Sequence, residues 1–312
     1  DWLALAGKPL ADEQASAPPV GEAASPAQEF RLLRLQGRCA QATDGPHGEQ
    51  RKLLLRAFVK TEDGGEAPVI LSAERLRRNG ETAFRVMIDC RAAATPTALL
   101  CQATELLRFM RGSTFRGQLQ IDVDAHAVRG SLQGGFEQVD LAAALPSGSP
   151  HAAAGTARID VRQLDWRNDR IDRIEGSLRA TDVAVSRSML VAATELLRCQ
   201  MTTTELGGAT APATWPPSQV PTLISLEELA FRFDFDAKGL TLWGQCAGAE
   251  NPTKCMAKRA GQTLLLQPQN TELLAGLWIR FLLPWANSWS PATREAIDIA
   301  SRLPLPATPL RR

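Results

Sequence analysis

Apolar and polar residues alternate with a period near 2 along most of this chain. In Gln118–Val123 (QLQIDV), Leu119, Ile121 and Val123 fall on one face and Gln118, Gln120 and Asp122 on the other. Leu229–Phe235 repeats the pattern, with Leu229, Phe231, Phe233 and Phe235 set against Ala230, Arg232 and Asp234. Such runs predict antiparallel strands with one dry and one wet face. Further strands are expected at Phe30–Cys39, Lys52–Thr61, Ala67–Glu74, Ala83–Cys90, Ala127–Leu132, Phe136–Leu141, Leu240–Cys246 and Met256–Leu266. Asp63-Gly64-Gly65, Asn79-Gly80 and Lys238-Gly239 supply turn chemistry between them.

The alternation gives way to a helical period twice, in nearly the same words. Arg78–Arg108 reads RNGETAFRVMIDCRAAATPTALLCQATELLR and Arg167–Arg198 reads RNDRIDRIEGSLRATDVAVSRSMLVAATELLR, and TELL returns at Thr271–Leu274. One residue of gap aligns the first two, and they share ATELLR. Ala83–Met110 and Ile171–Cys199 are therefore expected to be equivalent strand-then-helix units, with Leu106, Leu107, Leu196 and Leu197 against the sheet. Thr95 before Pro96 suits an N-cap with proline at N1, and Ser186 suits the start of the second helix. Two more helices are expected, from Thr271 to about Leu283, where Pro284 stops it, and from Pro291 to Arg302. The fold class is α+β: a mostly antiparallel, twisted sheet with a few packed amphipathic helices.

Composition sets the boundaries. Residues 1–28, rich in Pro, Ala, Ser and Glu, bury too little to offset ordering entropy and read as a flexible linker. Residues 29–303 then form a single β-rich domain built from the repeat, with a Pro/Thr/Ala loop at 202–221, and 304–312 form a loose tail. With 312 residues and 44% hydrophobic content a sizeable core is within reach. A net charge of +1 gives no pull toward nucleic acid. No run approaches the ~18 apolar residues of a spanning helix, so a signal or membrane anchor is expected upstream of Asp1.

Candidate chemistry is sparse. Asp122/Asp124 and Asp234/Asp236 form two D-x-D pairs, yet each lies opposite an apolar strand face, where solvated carboxylates sit. His47, His126 and His151 show no metal-ligand spacing, and no cysteine forms a C-x-x-C pair, so neither metal nor cofactor is expected. G-x-S-x-G, G-x-G-x-x-G and P-loop motifs are missing, and no enzyme is expected. Ser186-Arg187-Ser188 reads as a helix cap rather than a nucleophile. Cys246 and Cys255 flank a turn-like segment that can bring them to bonding distance; two separate thiols are the alternative. Trp278, Phe281, Trp285 and Trp289 suit either a membrane interface or the open end of a sheet core.

The phrases GQLQIDVDAHAVRGSLQG, GTARIDVRQLDWRNDRIDRIEGSLRATDVAVSR and LEELAFRFDFDAKGLTLWGQC resemble the AsmA-like superfamily of bacterial envelope proteins over roughly residues 115–266, and LPWANSWSPATREAIDIASRLPLP resembles their C-terminal ends. The resemblance implies an exported protein on the periplasmic side of the bacterial envelope, anchored by its upstream segment. It also implies a curled sheet whose apolar groove carries or shields lipid. The expected function is non-catalytic: lipid binding, transport or envelope assembly, with lipid, a membrane surface or other envelope proteins as partners. A structural scaffold in a larger envelope or secretion-type complex is the alternative. The expected groove is lined by Leu119, Ile121, Val123, Leu229, Phe231, Phe233 and Phe235 and closed by the Trp278–Trp289 segment.

Overall fold

The structure is a computed structural model that describes residues 32–269, except 46–47, 61–64, 79–80, 101–109, 111, 146–148, 150, 169, 203–221 and 248–253. The linker 1–28, most of the loop 202–221, the helices expected at 271–302 and the tail 304–312 lie outside the described residues. So do His47, Leu106 and Leu107 and the cluster Trp278, Phe281, Trp285 and Trp289. All described residues belong to one compact unit, Arg31–Arg312.

Two long hairpins open the sheet: β1 (Leu32–Gly45) with β2 (Gly48–Lys60), and β3 (Glu66–Arg78) with β4 (Glu81–Asp89). The chain then turns through β5 (Thr95–Pro96) into α1 (Thr97–Leu100) and returns as β6 (Thr114–Val123) and β7 (Val128–Asp140). After the two-residue β8 (Ala153–Ala154) come β9 (Thr156–Arg167) and β10 (Arg170–Ser186), which runs straight into α2 (Arg187–Glu195). β11 (Gln200–Met201), β12 (Leu223–Asp236), β13 (Gly239–Gly244), β14 (Cys255–Arg259) and β15 (Gln262–Leu266) complete the described elements. They make one fifteen-stranded sheet in the order β1-β2-β3-β4-β6-β7-β9-β10-β12-β14-β15-β11. β13 pairs beside β12, β5 beside β6 and β8 beside β10, and every described pairing is antiparallel.

The architecture is thus an open, twisted antiparallel sheet with little helix. Among the described residues the α+β expectation overstated the helices: four residues of α1 are described, and α2 has nine. Two strand boundaries also change. β7 joins the segments expected at Ala127–Leu132 and Phe136–Leu141, because Gly134 (φ +148°) and Gln138 (φ +58°) absorb bulges within the ladder instead of ending it. The segment expected as one strand at Met256–Leu266 is the hairpin β14–β15, reversed at Ala260-Gly261, both at positive φ.

The internal repeat is structural. Phe84 faces Val123 across β4–β6, and Ile174 faces Phe235 at the equivalent place across β10–β12. The pairs stay in step: Ile88–Leu119 matches Leu178–Phe231, and Val123–Val128 matches Phe235–Leu240 in the following hairpins. α1 and α2 begin at aligned residues, and the aligned Leu100 and Leu190 are both buried. One sheet therefore holds two copies of a strand–helix–strand–strand unit, joined through β7 and β9.

Ser186 caps α2 as expected, its hydroxyl accepting from Met189 N–H at 3.3 Å. The helix ends with Arg198 at φ +58°, and Cys199 N–H reaches the Ala193 carbonyl at 3.1 Å. Leu190, Ala193 and Leu197 pack onto Val183, Val185, Ile224 and Leu226 of β10 and β12, and Leu196 is partly buried against the same cluster. These two strands turn over together. Apolar positions shift parity at Asp182 (φ +52°) in β10 and at Glu227–Glu228, opposite it in β12, while the register continues unbroken.

Candidate functional site

Strand register collects the expected site residues on one face. Following facing partners from β1 to β13 gives the row Gly37–Leu55–Leu71–Ile88–Leu119–Leu132–Leu164–Ile174–Phe235–Leu240. A parallel row runs Leu53–Ala73–Val86–Ile121–Gly130–Trp166–Ile171. Leu119, Ile121 and Val123 on β6 and Phe231, Phe233 and Phe235 on β12 are equivalent in the two repeats. Ile174, Leu178 and Phe233 pack against both large core clusters, so the apolar face is continuous between them.

Cover over that face is uneven. From β6 to β12 it is largely sealed: Leu119 is 0% exposed, Leu132 and Phe136 1%, and Phe235 4%. Leu119 and Phe235 are therefore core residues, not walls of an open groove. Leu229, Phe231 and Phe233, with Ile121 and Val123, are half-buried. The same face lies more open over β1–β4, where Leu35 is 62% exposed, Phe84 50% and Leu53 40%, and Leu55, Leu71, Val86 and Ile88 are half-buried. Composition could not show this difference, because the alternation is the same in both places.

Gly130 lies on β7, facing Ile121 of β6 and Trp166 of β9. A Cβ there would lie 1.8 Å from Trp166 Cζ2, so the missing side chain makes room for the indole. Gly176 does the same for Phe233, whose Cζ would be 2.9 Å from an added Cβ. Aromatic rings from neighbouring strands thus fill the gaps that glycine leaves.

The opposite face is polar and ion-paired. Its clearest row runs Lys52–Glu74–Arg85–Asp122–Arg129, alternating in sign from strand to strand. Lys52 pairs with Glu74, and Arg85 with Asp122 at 2.6 Å. The two D-x-D pairs divide their work alike. Asp122 and Asp234 make ion pairs, Asp234 with Arg173 at 2.8 Å, whereas Asp124 and Asp236 accept turn N–H groups from His126, Ala127 and Lys238, Asp124 also pairing with Arg129 at 3.3 Å. Backbone hydrogen bonds, first that of His126, hold the Asp124 carboxyl below its usual range.

Among the described residues Glu175 is the one acid paired with several cations. It accepts from Arg162 at 2.7 Å, Arg232 at 2.6 Å and Arg173 at 3.3 Å, and is 7% exposed. Desolvation pushes its carboxyl up, but the Arg232 hydrogen bond and the Arg162 and Arg232 charges outweigh that and leave it below its usual value. Arg232 also lies over the Trp243 ring at 5.1 Å. A polar cavity of about 380 Å³ opens beside it, lined by Gly135, Asp160, Arg162, Ser177 and Gln245. Its charged groups Asp160, Arg162 and Arg232 each have an ion-pair partner, while the buried Nε of Arg232 has no hydrogen-bond partner.

Cys246 and Cys255 lie beside each other where β13 and β14 both run along β12. Cys246 N–H donates to the Cys255 carbonyl at 3.0 Å, both are buried against Ala230, and both are free thiols. Burial, then the adjacent Cys255, push the Cys246 thiol up. Burial alone pushes Cys199 up to about 12. Sequence reasoning missed the contact between His151 Nδ1 and Ser188 Oγ (3.1 Å), which ties the β8 segment to the head of α2. Thirty-seven residues separate the two, and nothing in their spacing signals it. Among the described residues no group of His, Cys, Asp and Glu is placed to hold a metal ion, and no helix is long and apolar enough to cross a membrane. No protein-family model, curated protein or solved structure matches the chain.

Proposed function

We propose that this chain is a non-catalytic protein of the bacterial envelope whose sheet binds acyl chains along its apolar face. The observation that carries the reading is the set of exposed Leu35, Leu53 and Phe84 on the face that is buried at Leu119, Leu132 and Phe136. A soluble domain leaves few large apolar side chains clustered on one face, and such a cluster marks a binding surface. Half-buried Val86, Ile88, Ile121 and Val123 extend it toward Phe231 and Phe233. The AsmA-like phrasing of β6–β7, β9–β10 and β12–β13 agrees with lipid as the occupant and with a periplasmic location.

The test is lipid extraction and mass spectrometry on protein purified from membranes, wild type beside Leu53→Asp/Phe84→Asp. Acyl lipid in the wild type and its loss in the variant support the reading. Equal lipid in both, or none in either, removes it and leaves a structural scaffold, the second reading, which β1, paired only with β2 among the described residues, favours.

A further inference from the structure

Cys246 and Cys255 stand where the neighbour of β12 changes. β13 runs along β12 from Asp236 back to Phe231 and ends at Gly244, and β14 begins at Cys255 and takes over opposite Leu229 and Glu228. The backbone on both sides of the break is tied down. Gln245 N–H donates to the Ala230 carbonyl and Cys246 N–H to the Cys255 carbonyl, each at 3.0 Å, and Ala247 N–H reaches Glu228 Oε2 at 2.8 Å. Gln267 N–H donates to the Lys254 carbonyl at 2.8 Å, and its side-chain oxygen accepts from Gly244 N–H at 3.1 Å. Gly244 permits this close approach, because a Cβ there would lie 2.4 Å from the carbonyl oxygens of Lys254 and Cys255. The two thiols are buried together against Ala230, 1% and 0% exposed, and their side chains are hydrogen-bonded to each other. Cys90 and Cys199 belong to the two other core clusters.

We propose that Cys246 and Cys255 are a redox pair that closes to a disulfide and fixes the β14–β15 hairpin to the rest of the sheet. Sulfurs already in hydrogen-bond contact need little more than side-chain rotation to reach bonding length, about 2.05 Å. The rotation gives up one weak contact, from Cys255 Sγ to the Ala257 carbonyl at 3.5 Å. The hairpin is thinly held otherwise: β14 faces β12 only at Leu229 and Glu228, whereas β10 faces it from Leu223 to Phe235. The oxidant is a small or protein disulfide. One cysteine thiolate attacks its S–S bond, forming a mixed disulfide and releasing a thiolate. The second cysteine thiolate then attacks the mixed disulfide and releases the other half. The oxidant thus takes up two electrons and two protons and ends as two thiols. Thiolates alone attack, and burial together with Cys255 pushes the Cys246 thiol up. Exchange is therefore slow in the folded, reduced protein, and the bond forms as the chain folds. Such exchange suits the oxidising periplasm proposed above.

The test is to refold urea-unfolded, reduced protein in a mixture of oxidised and reduced glutathione, alkylate the remaining thiols and map disulfides by non-reducing peptide mass spectrometry. A peptide joining Cys246 to Cys255 is expected. Adding a phosphine reductant during a second urea titration should lower the unfolding midpoint of the linked protein. Cys246→Ala/Cys255→Ala, its fold checked by far-UV circular dichroism, should lose that response. Alkylation of both cysteines after oxidative refolding overturns the proposal, and that result needs no variant. So does linkage of either to a different cysteine, or a linked protein whose midpoint ignores the reductant. A response that persists in the double variant places the stabilising link elsewhere and overturns it too. None of these outcomes depends on whether lipid is bound.

Discussion

The two halves of the sheet are written alike and end up in different environments. Over β7–β12 most alternating apolar residues are sealed beneath the chain itself, as Leu132, Phe136, Leu164 and Trp166 show, with Val128 and Leu223 exposed near strand ends. Over β1–β4, residues of the same face meet solvent at Leu35, Leu53 and Phe84. Strand register assigns both sets to one face, so alternation decides which side is dry-seeking but not whether it becomes dry. Cover decides that, and cover here includes α2 on β10 and β12 and Leu100 of α1 against Phe115 and Phe136. A face that is apolar and uncovered is the part of the sheet with binding capacity to spare.

Substitutions can break or sharpen this contrast. The largest effect is expected from Phe136→Ala, which empties a 1%-exposed site and should cost about 3–5 kcal/mol in urea unfolding. Gly130→Val comes next. It drives a side chain into the space of Trp166 and should cost roughly 1–3 kcal/mol, with a red-shifted tryptophan emission as the indole is displaced. Glu175→Gln should cost about 1–2 kcal/mol, because the three arginines it serves are partly exposed and retain water. The effect carries a pH signature. The folded-state carboxyl of Glu175 lies below its unfolded value, about 4.3. Its contribution is therefore complete above that value and lost as pH falls through the lowered one. The stability gap between wild type and Glu175→Gln should close in acid and stay constant toward neutral pH. Smallest is Phe84→Ala in the open half, expected within about 1 kcal/mol because the ring is already half exposed. A Phe84→Ala cost equal to that of Phe136→Ala would erase the distinction between the halves.

Much of the fold was legible because the chain states it twice. The shared ATELLR and the strand before it foretold equivalent units, and the matching Phe84–Val123 and Ile174–Phe235 pairs bear that out. Ser186 was recognisable as a cap from its place before a helical period. The Asp pairs were recognisable as solvated-face groups, though not the division between ion pair and turn cap. Other features depend on backbone states that side-chain pattern does not report. Gln138 and Asp182 adopt positive φ without being glycine, which hid the continuity of β7 and the parity change in β10. The sealing of Leu119 was equally hidden, since it comes from residues distant in the chain, such as Leu100 and Leu164.

The most direct measurement places a photoreactive benzophenone side chain at position 84 in one protein and at position 231 in another. Each is irradiated with a radiolabelled fatty-acid-bearing phospholipid in mixed vesicles. Labelling at 84, with little at 231, is expected if the uncovered half of the face takes the acyl chain. Labelling at 231 without labelling at 84, or at neither position, would contradict it.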